Sequence, residues 1–261
     1  MSRARPGAGI RVSGGRLRVD AARAIDKLRS YQLADPLGWV LEVVRAGVLM
    51  RETEAIAVEG SGGDVFVAIA CAKPDPAKLP RLFEELFDPS AAPDARAWRL
   101  LAIGVNAALG RKEDGTATRH VDVYALDAEG SERVRFTPQL FSVERETGIA
   151  PGLRALTTER AAPPAHAPRP RRGVLVHARA VMGLGALARW AVGEEPRELA
   201  LVRDATREVR VPLTVGGLPV AQDPAIVMRE PLASGGYVAL VTPRIGRTHA
   251  ILEAAEAGVV L

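Results

Sequence analysis

The chain has 261 residues, 48% hydrophobic and 25% charged, enough for a sizeable core and too apolar for a chain disordered throughout. Lys and Arg number 35 against 31 Asp and Glu, and this net +4 is small for the length; no interleaved aromatics or known motif accompany the arginines, which argues against a nucleic-acid binder. The single cysteine, Cys71, excludes an internal disulfide and a multi-cysteine zinc site, no apolar run reaches the roughly 18 residues of a membrane span, and no apolar stretch follows the arginines of residues 1–19 as in a secretory signal, so the cytoplasm is the expected location.

Residues 9–19 alternate apolar and basic side chains around Ser13, Gly14 and Gly15, the pattern of a short hairpin or edge strand. Asp20 is placed to cap a helix over 21–31 with Ile25 and Leu28 on its apolar side. Asp35 and Pro36 open the clearest helix, an N-cap carboxylate followed by a proline where its missing N–H costs nothing. Leu37, Val40, Leu41, Val44 and Val48 form its expected buried stripe; Gly38, Glu42, Arg45, Ala46 and Leu49 occupy a second side.

Residues 54–59 and 64–71 read as two strands of a hairpin with a glycine-rich turn at 60–63. Residues 76–87 are amphipathic through Leu79, Leu82, Phe83, Leu86 and Phe87. Residues 97–109 are apolar on most sides, as in a buried helix, and Gly110 is placed to end it. Strands are expected at 119–126 and 133–136, with a third at 139–146. Residues 158–172 carry Pro163, Pro164, Pro168 and Pro170 among alanines and arginines, without a large apolar residue, and read as an exposed, mobile loop or linker. Strand character resumes at 173–179, helices at 184–192 and 197–206, and a strand at 209–215 turns through Gly216 and Gly217 into 218–220. Short strands at 226–228 and 237–242 and a helix at 248–257 complete the order. The fold class expected is α+β: a two-layer α/β sandwich with helices on one face of a mostly antiparallel mixed sheet.

Chemistry-bearing residues are few. Histidines 120, 166, 177 and 249 lack metal-ligand spacing, and His120 and His177 read as structural residues of strands. Cys71 reads as a small buried residue and Asn106 as a satisfied core amide. Gly183, Gly185 and Ala188 match the dinucleotide-binding spacing, with Asp204 about twenty residues beyond Gly183. Against that reading, His177 and Arg179 lie in a strand that should be apolar, and no first strand–helix–strand half precedes the unit.

The run Leu17-Arg18-Val19-Asp20, a helix, a tyrosine, then Asp35-Pro36 and residues 40–46 (VLEVVRA) resembles the opening of the GHKL ATPases. It is most similar to the N-terminal domain of heat-shock protein 90 and its bacterial relatives. The hairpin, the stretch 75–83, the helix 99–109, and residues 173–177 and 211–215 follow in the family's order, so the resemblance covers roughly Leu17 to Val220. It implies a GHKL-type (Bergerat) domain over 1–220, with a basic N-terminal arm and the loop 158–172, and a small C-terminal α/β extension over 221–261. In that family a helical glutamate activates water, an asparagine four residues on holds Mg²⁺, an aspartate after the hairpin bonds adenine, and a glycine-rich lid covers the phosphates.

Carried over residue by residue, Glu42 falls on the glutamate, as a vestigial catalytic position. Ala46 falls on the asparagine, and an alanine offers a hard cation no oxygen. Ile69 falls near the aspartate, in a stretch, Ile69 to Pro74, without carboxylate or glycine, and residues 88–97 hold no glycine for a lid. The resemblance therefore implies a pseudo-ATPase: no cofactor, no metal ligand, no nucleotide-binding residue, and a role as a protein-interaction or scaffold module. The expected surfaces are the old pocket, the N-terminal arm, also a candidate for homodimerisation through 9–19, and the stretch near Arg169 to Arg172. The alternative is an ATP-binding, chaperone-type ATPase with displaced ligands, Glu42 acting with Asp64 or Asp75 and with Mg²⁺. Without a metal ligand beside it, Glu42 is expected to pair with Arg45 one turn on.

Overall fold

Asp35 caps the first helical segment as its sequence foretells, its Oδ1 accepting from the N–H of Leu37 at 2.8 Å. The turn it caps, Pro36–Gly38, is a 3-10 helix, and the α-helix proper, α1, follows at Trp39–Leu49. The computed structural model describes residue 25 and residues 35–138 and 157–220, apart from 62, 73, 89, 91, 111, 114, 115, 181–190, 192, 193, 207, 208 and 210. At 112, 113, 116–119, 226–231, 237–241, 255, 256, 259 and 260 it describes the backbone alone. The strands expected at 9–19 and 139–146 lie outside the described residues, and of the helix expected at 21–31 only Ile25 lies within them, helical and fully buried.

After α1 come β1 (Thr53–Ser61), β2 (Asp64–Cys71), a 3-10 helix (Pro76–Phe87) and α2 (Pro93–Gly110). Next are β3 (Lys112–Glu113), β4 (Thr116–Leu126), β5 (Ser131–Phe136), β6 (Glu159–Arg160) and β7 (Gly173–Ala180). Last in this layer pair are α3 (Arg197–Ala205), β8 (Leu213–Val215) and β9 (Leu218–Pro219). One sheet runs in the order β6-β5-β4-β7-β2-β1-β8-β9, with β3 on β4. Every neighbouring pair is antiparallel except β1 with β8, where Ile56 lies opposite Leu213 in a parallel register.

Alternation along the strands gives the sheet two unlike faces. Ile56 and Val58, then Val65, Val67 and Ile69, then Val121, Val123, Val134, Val174 and Val176 point to an inner face packed under α1, α2, α3 and the Pro76–Phe87 helix. The outer face is a smaller apolar strip of Phe66, Ala68, Tyr124, Leu126 and Leu175. The architecture is thus α+β, a two-layer sandwich with helices on one face of a mostly antiparallel mixed sheet.

Several expectations shift. The segment 76–87 is a 3-10 helix broken at Arg81, because Pro80 inside it lacks an N–H and restricts its neighbours. Burial on α1 reaches past the expected stripe: Val40 and Val44 are buried, but so are Trp39, Val43, Ala46 and Gly47, since α2 packs along a second side. The approach is close at Gly104 of α2, where a Cβ would stand 2.7 Å from Val43 Cγ2 and 2.9 Å from the Trp39 carbonyl oxygen. The proline-rich stretch is not a bare linker. Glu159 and Arg160 extend the sheet edge as β6, and Ala167 is buried against the outer apolar strip. Beyond the main sheet, β10 (Ile226–Pro231) pairs antiparallel with β11 (Tyr237–Val241), and β12 (Ala255–Glu256) with β13 (Val259–Val260). The last pair replaces the end of the helix expected at 248–257, and the β-branched Val259 and Val260 suit a strand.

Candidate functional site

Glu42 stands in the first turn of α1, where a carboxylate favours the positive end of the helix dipole. Its Oε1 accepts from Arg45 Nη1 at 2.7 Å, and the pair is nearly buried, the side chains 12% and 9% exposed. Burial pushes the Glu42 carboxyl up from 4.5 to about 7. The guanidinium at 2.7 Å opposes that rise, since a close cation favours the charged form. The expected pairing is therefore present, and it occupies the carboxylate oxygen that faces Arg45.

The two positions that the resemblance pairs with Glu42 carry hydrocarbon side chains. Ala46 is fully buried, and so is Ile69 on β2. Gly47 lets the sheet come up to the helix: a Cβ there would lie 2.9 Å from Ile56 Cδ1 and 3.0 Å from Ile69 Cγ1. Ile69 thus fills the space beneath α1 with its own side chain, and Cys71, two residues on, is buried in the same core. The segment that the resemblance places at the lid is fastened. Asp88 Oδ1 accepts from Ser90 N at 2.9 Å, and Arg99 of α2 donates to the carbonyls of Asp88 and Ser90.

Neither carboxylate considered as a displaced ligand joins Glu42. Asp75 is exposed and caps the Pro76–Phe87 helix, accepting from Ala77 N at 3.2 Å. Asp64 belongs to the outer face, 3.2 Å from His177 Nε2, 3.8 Å from Arg179 Nε and 3.9 Å from His166 Nε2. The sheet stands between it and α1. The dinucleotide-binding reading also fails on topology, because β7 is antiparallel to both its neighbours whereas that site needs a parallel strand–helix–strand unit. Gly183, Gly185 and Ala188 lie outside the described residues. Asn106 is a core amide donating to the Ile25 carbonyl at 3.2 Å.

The outer face holds a polar cluster that residue-by-residue reading missed. Asp122 on β4, 2% exposed, takes two hydrogen bonds from Arg135 of β5, Nε at 2.7 Å and Nη2 at 2.9 Å. Arg133 Nη1 and His120 Nε2 stand 3.6 Å and 3.4 Å from the same carboxylate. Burial lowers His120 below the usual imidazole range, and Asp122 opposes the shift. Register explains the convergence: Asp122 lies opposite Arg135 on one side and His177 on the other. The signal was present as period-two polarity, His120-x-Asp122 and Arg133-x-Arg135 on adjacent strands. Among the described residues no group of three or more His, Cys, Asp or Glu is arranged to hold a metal ion, and no helix is long and apolar enough to cross a membrane.

No family model matches the chain, and no curated protein matches it. Among solved structures it is similar to the B subunit of DNA gyrase from Myxococcus xanthus, at 15% identity and a TM-score of 0.42, covering 75% of this chain and 54% of that one. The chain thus spans about half the length of that subunit, and a likeness of this degree assigns no activity.

Proposed function

We propose that this chain is a GHKL-type domain of the heat-shock-protein-90-like kind whose nucleotide site has been filled with hydrocarbon, and that it works as a protein-interaction or scaffold module. The packing of Ile69 against Gly47, with Ala46 fully buried, carries the reading. An adenine nucleotide needs a carboxylate for its amino group and oxygen ligands for its Mg²⁺. At the two positions where the resemblance asks for them stand a fully buried isoleucine and a fully buried alanine. A lost charged hydrogen bond costs about 1.5–3 kcal/mol, and losing the metal's neutralisation of the phosphates costs several more. Together such losses remove useful affinity.

Glu42 supports the same reading. A water-activating carboxylate must face the substrate, and this one is turned to Arg45 within a nearly buried pair. Isothermal titration with ATP and Mg²⁺ tests the proposal. No heat of binding is expected. Micromolar binding that disappears in Glu42→Ala would replace it with the chaperone-type ATPase.

A further inference from the structure

Two stretches of the chain are strongly basic: residues 1–19, with five arginines and no acid, and residues 157–180, with five arginines, at 160, 169, 171, 172 and 179, against one acid, Glu159. The second lies among the described residues. The stretch leaves β6 at the sheet edge, crosses the outer face and enters β7 between β4 and β2. Its backbone is fastened there. Ala167 packs on the outer apolar strip, Arg169 Nη2 donates to the carbonyls of Pro163 and Pro164 at 3.1 Å and 3.3 Å, and Cys71 N donates to the Arg172 carbonyl at 3.3 Å. A segment held in this way loses little conformational freedom when a partner docks.

Most described arginines elsewhere are committed to a neighbour: Arg45 to Glu42, Arg81 to Glu84, Arg135 to Asp122, Arg203 to Glu195. Arg160, Arg171 and Arg172 are exposed and make no ion pair among the described residues. We propose that the segment crossing the outer face, at its exposed Arg171 and Arg172, docks an acidic segment of a partner protein; this rests on the interaction-module reading and names its partner's chemistry. A guanidinium presents paired N–H donors that match a carboxylate. A nucleic acid fits the face less well. Its backbone carries a charge about every 1.7 Å of duplex, and it would meet the exposed Glu159 and partly exposed Asp64 as well as the arginines. Residues 157–180 also bring no Phe, Tyr or Trp on which bases would stack. A peptide places its carboxylates singly, opposite the open guanidiniums.

Fluorescence anisotropy of a labelled peptide of alternating Glu and Ser, titrated with the full chain at low ionic strength, tests the proposal. Saturable binding is expected. It weakens at least tenfold in R171E/R172E and keeps its affinity in R81E/R96E, an equal charge change on two exposed arginines of the helical layer. R171Q/R172Q, a milder pair, falls between. No binding by the wild-type chain, or equal weakening by both charge-reversed pairs, overturns the proposal. Tighter binding of duplex DNA than of the peptide, lost in R171E/R172E, overturns it in favour of a nucleic-acid partner. Peptide binding alongside heat from ATP would sink the filled-site reading alone; no peptide binding and no ATP heat would sink this proposal alone.

Discussion

Glu42 and Asp122 are both carboxylates withdrawn from water, and each lies against guanidinium neighbours. Glu42 titrates higher in the folded chain, about 7 against 4.5, so the folded state holds its proton longer and stability falls as pH rises from the ordinary carboxyl range through about 7. The full span corresponds to at most about 3–4 kcal/mol, reduced by solvent screening. Thermal unfolding of Glu42→Gln between about pH 5 and pH 8 is expected to lose that decline, and an unchanged profile would contradict it. His120 works with the opposite sign: burial holds its folded-state titration below 6.5, so stability is lost as pH falls below that range. Asp122→Ala leaves Arg135, Arg133 and His120 facing one another without their shared anion. About 2–4 kcal/mol should be lost in denaturant unfolding, against less than about 1 kcal/mol for the half-buried Glu84→Ala, whose partner Arg81 is exposed.

Strand β2 and helix α1 decide between a binding cleft and a filled core. Ile69→Asp restores the residue type that the GHKL resemblance asks for, yet it places an unpaired carboxylate on a buried inner-face position. The expected outcome is a loss of about 3–5 kcal/mol in stability and no gain of ATP binding; a stable variant that binds ATP would refute the filled-site account. Gly104→Ala probes the second contact of α1. Its methyl would press on Val43 and on the Trp39 carbonyl, costing about 1–3 kcal/mol where the same change on an exposed helix surface would stabilise. The hairpin, α2 and the Asp35 cap were legible because their signals are local: glycines at a turn, a continuous apolar run, a carboxylate before a proline. The buried side of α1 was not, because a helix between a sheet and another helix has two covered sides and periodicity selects one.

The whole molecule is layered, and the outer layer is thin. Between β6 and β7 one loop crosses the outer apolar strip, with Ala167 packed on the strip and Pro163 also buried, so its hold should be sensitive to a charge placed at Ala167. Ala167→Asp is expected to speed tryptic cleavage at Arg171 and Arg172 severalfold at 25 °C while the far-UV spectrum stays unchanged. Rapid cleavage of the wild-type chain there would contradict the packing.

Composition, spacing and alternation were sufficient for the class of architecture, most strands, and the Glu42–Arg45 pair, because each depends on residues within a turn or two of one another. They also put Ala46 and Ile69 where the resemblance asks for oxygen ligands, since a side chain's chemistry is written in its identity. Tertiary structure alone decided the rest. The Asp122 cluster joins residues of separate strands, the proline-rich stretch found an apolar strip that exists only once β2, β4 and β7 lie side by side, and Asp64 went to the far face of the sheet from Glu42. In each case the partner is distant along the chain, and burial against it outweighs what the local sequence prefers.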